Sequence, residues 1–217
     1  GERVVLAVQG LPASHVCVDA AQVFSLAGFG DIPSQCIAGL ITSLVPAYYS
    51  LNHVMRVRPG ETILIDADSG NCALSFHHAG LWLGAVPLLY SSDDARLEGL
   101  ESRSDITVID ARQSDLAETL ATALDVFDVR AWIHAGHTGH PVFKQRALKN
   151  NVHEIVIDQV DMHNPEIRGA CGSCSHVCVL SLALTSPVLF GRILQEVAQY
   201  LRRNPLPAIG MQLFSGE

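Results

Sequence analysis

Residues able to do chemistry crowd into Gly60-Glu61-Thr62-Ile63-Leu64-Ile65-Asp66-Ala67-Asp68-Ser69-Gly70-Asn71-Cys72-Ala73: three carboxylates, two hydroxyls, an amide and a thiol, and of these Asp66, Asp68, Ser69, Asn71 and Cys72 surround Gly70. The aliphatic run Thr62 to Ala67 predicts a buried strand after a Pro59-Gly60 turn, and Asn71 to Leu83 predicts a helix. A strand that enters a helix through small residues exposes bare backbone N–H groups at the helix N-terminus, and these can cradle a phosphate. In the frame G-x-G-x-x-G/A ending at Ala73, the three small positions fall on Asp68, Gly70 and Ala73. Gly70 and Ala73 fit. Asp68 does not, and Asp66 adds a second carboxylate two residues earlier. Two like unit charges about 4 Å apart repel by about 1 kcal/mol in bulk water and about 4 kcal/mol at an effective dielectric of 20. An ionised Asp68 facing a pyrophosphate therefore opposes its binding.

Three other groups carry possible chemistry. Asp93 and Asp94 follow the predicted strand Val86 to Tyr90, near the spacing of about 20 residues at which an acid can accept from an adenosine ribose. His134, His137 and His140 follow another strand, where three imidazoles could converge for metal or acid–base work. The plainer expectation is loop histidines that fill a crevice. Cys171, Cys174, Cys178 and His176 offer one C-x-x-C with a trailing cysteine but no separate second pair, so free thiols are expected there rather than zinc, and no metal. Tyr48 and Tyr49 read as packing residues, and Ser186 as a helix N-cap.

The elements that must position these residues alternate. Apolar strands are predicted at Thr62 to Ala67, Val86 to Tyr90, Ile106 to Asp110, Val129 to His134, Glu154 to Ile157 and Val177 to Leu182. Helices are predicted at Asn71 to Leu83, Asp94 to Ser102, Asp115 to Ala123 and Pro141 to Lys149. This is the α/β pattern of a doubly wound parallel sheet, Rossmann-type, with helices on both faces. The first fifty residues differ: Arg3 to Val8 and His15 to Asp19 read as short strands and Cys36 to Val54 as an apolar helix. Near the end, Leu189, Ile193, Val197 and Leu201 repeat every four residues between Pro187 and the Arg202-Arg203 turn, which predicts a helix packed through one stripe.

Bulk composition narrows the function classes. The 217 residues, 48% hydrophobic, can fill a sizeable core. With 14 Lys and Arg against 22 Asp and Glu, a formal charge of −8 provides no basic face for nucleic acid or anionic lipid. No apolar run reaches the roughly 18 residues of a membrane span, and the start lacks the pattern of a signal peptide, so a cytoplasmic address is expected. The chain opens inside a predicted strand without an initiator Met, as expected of a region from a longer polypeptide.

Several segments together resemble the enoylreductase domains of fungal iterative highly reducing polyketide synthases, in the medium-chain dehydrogenase/reductase group. Gly1-Glu2-Arg3-Val4 resembles that family's Gly-Asp-Arg-Val strand, and Ala47-Tyr48-Tyr49-Ser50-Leu51 its Thr-Ala-Tyr-Tyr-x-Leu helix. Arg58-Pro59-Gly60-Glu61 is similar to the turn into its first Rossmann strand, Trp82-Leu83-Gly84-Ala85 to the helix end before its second, and 187–197 to its final helix. The resemblance implies a partial GroES-like substrate-binding segment with its linking helix over 1–50 and a degenerate dinucleotide-binding domain over 51–185. A C-terminal helix and strand returning to the first segment would occupy 186–217.

The departures fall where that family's chemistry lies. Its loop Ala-Ala-Ala-Gly-Gly-Val-Gly corresponds to Ala67-Asp68-Ser69-Gly70-Asn71-Cys72-Ala73. Ala95 stands near the family's lysine for the NADPH 2′-phosphate, and Ile157 stands where its Glu-Ile-Gly-Lys segment ends in a proton-delivering lysine. An isoleucine can neither donate a proton nor stabilise an enolate. The resemblance thus implies a pseudo-enoylreductase: no catalytic residue, no cofactor where the ancestor took NADPH, and a degenerate site at Asp68, Gly70, Asn71, Ala73 and Ala95. Its partners would be flanking synthase domains, a reductase supplied in trans, and a second copy of itself. The alternative is an active NAD(P)-dependent enone, quinone or enoyl-thioester reductase with an atypical loop; a ligand-binding module using the histidine-rich loop is a third.

The self-pairing strand is expected at Val177 to Leu182, which is apolar on both faces and lacks any Pro or charge to blunt an exposed edge. Pairing with its own copy across a two-fold axis satisfies the edge N–H and C=O groups. Val179→Pro removes a ladder donor and should yield a folded monomer. Sedimentation checks this: a wild-type monomer at micromolar concentration, or a Val179→Pro variant that stays dimeric, excludes the strand as the interface.

Overall fold

The computed structural model describes residues 1–6, 14–69, 71–101, 106–111, 116–135, 149, 152–157, 166–168, 174–176 and 186–204. The chain divides into two units, Gly1–Pro46 with Cys178–Glu217, and Ala47–Val177. The second carries the main sheet. Its strands are β3 (Thr62–Asp66), β4 (Val86–Ser91), β5 (Thr107–Asp110), β6 (Val129–Ala135), β7 (His153–Ile157), β8 (Glu166–Arg168) and β9 (Cys174–His176). Their spatial order is β5-β4-β3-β6-β7-β8-β9, with the first five parallel and the last two antiparallel.

Chain order reverses between β3 and β6, which makes their carboxyl ends the topological switch point. The helices that return the chain are α2 (Asn71–Trp82), α3 (Asp94–Glu101) and α4 (Leu116–Val126). Helices cover both faces, because a strand's side chains alternate. On one face Leu64, Leu88, Tyr90 and Trp132 form a core cluster with Leu120 and Leu124 of α4. On the other, the backbone of α2 at Gly80 lies against Ile63 and Pro87. The sheet is therefore doubly wound, as its alternating sequence predicts. Five predicted strands and three predicted helices lie within a few residues of their expected bounds. The predicted helix Pro141 to Lys149 and strand Val177 to Leu182 fall outside the described residues, apart from Lys149.

In the first unit, β1 (Val4–Leu6) pairs antiparallel with β2 (Val23–Ser25). The strand expected at His15 to Asp19 is not there. His15, Val16, Cys17 and Asp19 are exposed and Val18 only half-buried, so the Val16–Val18 face is left largely uncovered, and the Asp19 carboxylate instead accepts the Ala21 N–H at 2.9 Å to start a 3-10 turn over Ala20–Gln22. β2 follows that turn. Helix α5 (Pro187–Arg203) buries Phe190, Ile193, Leu194, Val197, Ala198 and Leu201. Its stripe is one residue wider than the four-residue repeat suggested, and Phe190 meets Phe24 edge-on at 4.8 Å. Ser186 occupies the cap position and its carbonyl accepts the Phe190 N–H at 2.9 Å, but its side chain makes no cap bond. At ψ 60 it lacks the extended backbone that aims a cap hydroxyl back at the first turn.

The apolar helix expected over Cys36 to Val54 is two pieces: α1 (Ser34–Tyr48) and a π-helical turn over Tyr49–Val54. Pro46 lies inside α1 and cannot donate to the residue four before it. The π turn ends with the Met55 N–H on Ser50 O and the Val57 N–H on Leu51 O, both at 2.9 Å, while Arg56 between them takes φ 53. That is the left-handed residue of a helix-ending motif. Tyr48 is buried and stacks on Trp82 with centroids 4.0 Å apart.

Gly80 permits the close approach of α2 to β3, since a Cβ there would collide with Ile63 Cδ1. Alanine gains about 1 kcal/mol of helix propensity over glycine, whereas overpacking a fully buried neighbour costs about 1–3 kcal/mol. Gly80→Ala should therefore lower stability by about 1 kcal/mol. In an Ile63→Val background, which deletes the clashing methyl, the same change should be neutral or stabilising. Urea midpoints of the four proteins test this; a stabilising Gly80→Ala in the wild-type background refutes the close-packing argument.

Candidate functional site

The residues that could hold a ligand gather at the carboxyl ends of β3 and β4. β3 is buried at every position and ends at Asp66, which is only 1% exposed. A carboxylate there must find donors inside the protein. Its Oδ1 accepts the Asp68 N–H at 2.9 Å, bending the chain into a 3-10 turn over Ala67–Ser69 before α2 starts at Asn71. Asp68 in turn accepts the Ser91 hydroxyl proton on Oδ1 at 2.7 Å. Ser91, wholly buried at the end of β4, accepts the Asp93 N–H on the same oxygen at 3.0 Å. One relay, Asp66 to Asp68 to Ser91 to Asp93, joins the turn before α2 to the turn before α3.

This geometry bears on the phosphate-cradle reading in three ways. The Asp68 N–H points back to a carboxylate of its own strand. The Asp68 side chain, half-buried, adds an acceptor-only group at the first small position of the frame. Ala73, 2% exposed, fulfils the small-residue requirement in the core. Gly70 lies outside the described residues, and only the backbone of Ser69 and Asn71 is described. Ala95 is exposed in the first turn of α3 and supplies no charge. Ile157 closes β7 opposite Ala135, at the carboxyl edge of the sheet. The structure thus places Asp68 in the turn before α2, Asn71 and Ala73 in the first turn of α2, Ala95 in the next helix, and Ile157 on a strand two places away from β3.

Asp93 and Asp94 are exposed beyond the tip of β4. His134 ends the strand expected over Val129 to His134, and it is a buried strand residue rather than a loop histidine in a crevice. It lies on β6, 2% exposed, because the strand runs to Ala135. Its ring stacks on Trp132 with centroids 3.8 Å apart, and Nε2 lies 3.0 Å from Glu154 Oε1 on β7. Trp132 Nε1 donates to the Tyr90 hydroxyl at 3.0 Å. This buried polar ladder escaped the sequence reading, although a histidine two residues after a tryptophan on one strand was its visible signal. His137 and His140 fall outside the described residues, as do Cys171 and Cys178; Cys174 lies on β9. Among the described residues no three His, Cys, Asp or Glu side chains could hold a metal ion.

Cys72 stands second in α2, where a helix N-terminus favours a thiolate. Burial opposes this and wins, pushing the thiol up to about 11. With N-ethylmaleimide at pH 8, exposed Cys17 should be alkylated in the native protein, and Cys72 only after denaturant is added. Peptide mass mapping reads both sites. Equal rates at Cys17 and Cys72 would show that the α2 start is open to solvent.

No protein-family model matches the sequence, and no curated protein does. Solved structures match through their fold. The CurK enoyl reductase superposes with a TM-score of 0.58 at 17% identity over 86% of this chain, which spans 56% of that one. A probable oxidoreductase from Mycobacterium abscessus gives 0.64 at 13% identity over 98% of this chain and 68% of its own. The nucleotide-binding subdomain of the enoylreductase domain of PpsC from Mycobacterium tuberculosis gives 0.52 at 19% identity, covering 76% of this chain and 95% of that subdomain. The chain has the α/β fold shared by polyketide-synthase enoylreductase domains and medium-chain oxidoreductases.

Proposed function

We propose that this chain is a catalytically silent enoylreductase-like domain of a highly reducing polyketide synthase, or of such a synthase fused to a peptide synthetase. The observation that carries this reading is the carboxylate relay at the end of β3. A dinucleotide pyrophosphate needs free N–H donors and no negative charge at that turn. Here the Asp68 N–H serves the Asp66 carboxylate, and the Asp68 carboxylate is fixed by Ser91 at the end of the neighbouring strand β4. Adding a dianionic ligand would place like charges together in a partly desolvated site. The position of Ile157 adds to this, because enoyl reduction also requires a proton for the carbon next to the thioester carbonyl, and an alkyl side chain holds none.

The domain's role is then architectural. It spaces the flanking catalytic domains and pairs with its own copy, while enoyl reduction is absent or supplied in trans by a separate reductase. The first unit, with its two-stranded ribbon, is read as the remnant of a GroES-like substrate domain. A cytoplasmic setting fits this reading; among the described residues no helix is long and apolar enough to cross a membrane.

A second reading has one specific observation in its favour. Asp93 and Asp94 stand exposed past the second strand of the Rossmann core, where an acid accepts from the ribose hydroxyls of NAD. An active reductase of that kind would prefer NADH to NADPH. Titration calorimetry with both cofactors separates the readings. The silent domain gives no binding heat with either. A dissociation constant in the low micromolar range, about −8 kcal/mol, for NADH or NADPH overturns it. The loop variant Asp68→Ala/Asn71→Gly should regain some affinity yet fail to reduce a crotonyl thioester; turnover of order 1 per second would remove Ile157 from the argument.

A further inference from the structure

In a parallel sheet the return helices run opposite to the strands, so helix C-termini and strand N-termini share one edge. In the second unit this amino edge holds every large hydrophobic residue that is exposed among the described ones: Val54, Leu81, Val86, Val126 and Phe127, at 38–69% exposure. Local bonds place them there. Val86 opens β4 and its N–H bonds Glu61 O just before β3, while the Thr62 N–H bonds Asp128 O just before β6. Leu81 lies in the last turn of α2, Val126 ends α4 with Phe127 next, and Met55 O, beside Val54, accepts from Arg130 Nη2 at the start of β6.

The charge along this edge is divided between the two faces of the sheet. On the α2 side, Tyr48 stacks on Trp82, and a Cβ at Gly84 would lie 3.2 Å from that of Pro59; the exposed Arg56 and Arg58 belong to this turn. On the α4 side the exposed Asp125 and Asp128 flank Val126 and Phe127. Between them Glu61 and Arg130 face each other at 4.0 Å, and Lys149 is exposed ahead of β7. The undescribed residues next in sequence add no net charge: 102–105 hold one Arg and one Asp, 150–151 are both Asn, and 169–173 hold no charge. A partner of one sign would match only half of this edge. A second copy, turned about a two-fold axis that lies in the sheet plane across the strands, matches all of it, because the α2 side of each copy then meets the α4 side of the other.

We propose that the amino edge of the sheet is an isologous interface between two copies of this chain. Val54 and Leu81 of one copy lie against Val126 and Phe127 of the other, and Arg56 and Arg58 meet Asp125 and Asp128 twice across the axis. With strands about 4.8 Å apart and a helix about 10 Å across on each face, the edge is on the order of 20 by 30 Å, which reaches the roughly 600 Å² per partner at which specific interfaces begin. The contact is therefore weak, with a dissociation constant on the order of 100 μM, and it is separate from any pairing of the strand Val177 to Leu182. It holds whether or not the domain binds a cofactor.

Sedimentation equilibrium of the full chain tests this, in wild-type and Val179→Pro backgrounds, from micromolar concentration to about 1 mM. In both backgrounds an association step on the order of 100 μM is expected, weakening as salt is raised. Arg56→Glu/Arg58→Glu and Asp125→Lys/Asp128→Lys each set like charges against each other and should weaken that step at least tenfold. An equimolar mixture of the two variants should restore it, and the restoration shows that both are folded. Leu81→Ser/Val126→Ser should abolish the step. A Val179→Pro chain that stays monomeric at about 1 mM overturns the proposal. So does association unchanged by the charge reversals, or a mixture that associates no better than its components.

Discussion

A carboxylate buried at the end of the central strand constrains everything around it. β3 takes hydrogen bonds from β4 on one edge and β6 on the other, and every one of its side chains is buried. Asp66 cannot leave that position without unpairing the strand, so its charge must be met locally. A buried carboxylate without donors costs several kcal/mol, and hydrogen bonds to a charged group return about 1.5–3 kcal/mol each. The Asp68 N–H, two residues on, is one such donor. Once it is committed, the turn takes 3-10 form, Asp68 swings to Ser91, and the tips of β3 and β4 are tied together. The same bonds that satisfy the fold remove a donor from the place where a pyrophosphate would need it.

Much of this fold was legible because it rests on patterns with strict periods. The aliphatic runs of β3, β4 and β6 lie between helical segments, and a parallel sheet buried on both faces leaves little alternative. What could not be read were choices that depend on partners far away in sequence. The stretch His15 to Asp19 alternates like a strand, but β1 pairs instead with Val23–Ser25, and Asp19 had a nearer use as a turn acceptor. Pro46 inside α1 gave warning of irregularity, yet not of the π turn that follows, whose stability rests on the helix-ending bonds at Met55 and Val57. At the site, the acids at positions 66 and 68 were visible as intruders in a phosphate loop. Their mutual arrangement was not, since it needs Ser91 brought alongside by the sheet.

The polar ladder on the other side of the switch point shows the same economy. Trp132, His134 and Glu154 lie on adjacent strands facing α4, and Tyr90 closes the row from β4. An indole N–H and an imidazole are costly to bury alone. Stacked at 3.8 Å and bonded at their ends, they fix the register of β6 against β7 more tightly than aliphatic residues of similar volume would. A one-residue slip of β7 would carry Glu154 to the α2 face and leave His134 facing an alkyl chain. The row therefore acts on specificity of pairing as much as on stability.

Two acidic regions of the same sheet have opposite physical characters, and the contrast explains why one is read as closed and the other as open. At the β3 and β4 tips, Asp66 accepts from a backbone donor of its own turn and Asp68 from a hydroxyl on the neighbouring strand, so both carboxylates are held in place. On the flank of α4, Glu118 is exposed and lines an apolar groove beside Ile109 of β5, where water screens its charge. Negative charge made rigid by the fold excludes ligands of its own sign. Negative charge left mobile at the rim of an apolar groove costs little to keep and attracts the opposite sign over about a Debye length.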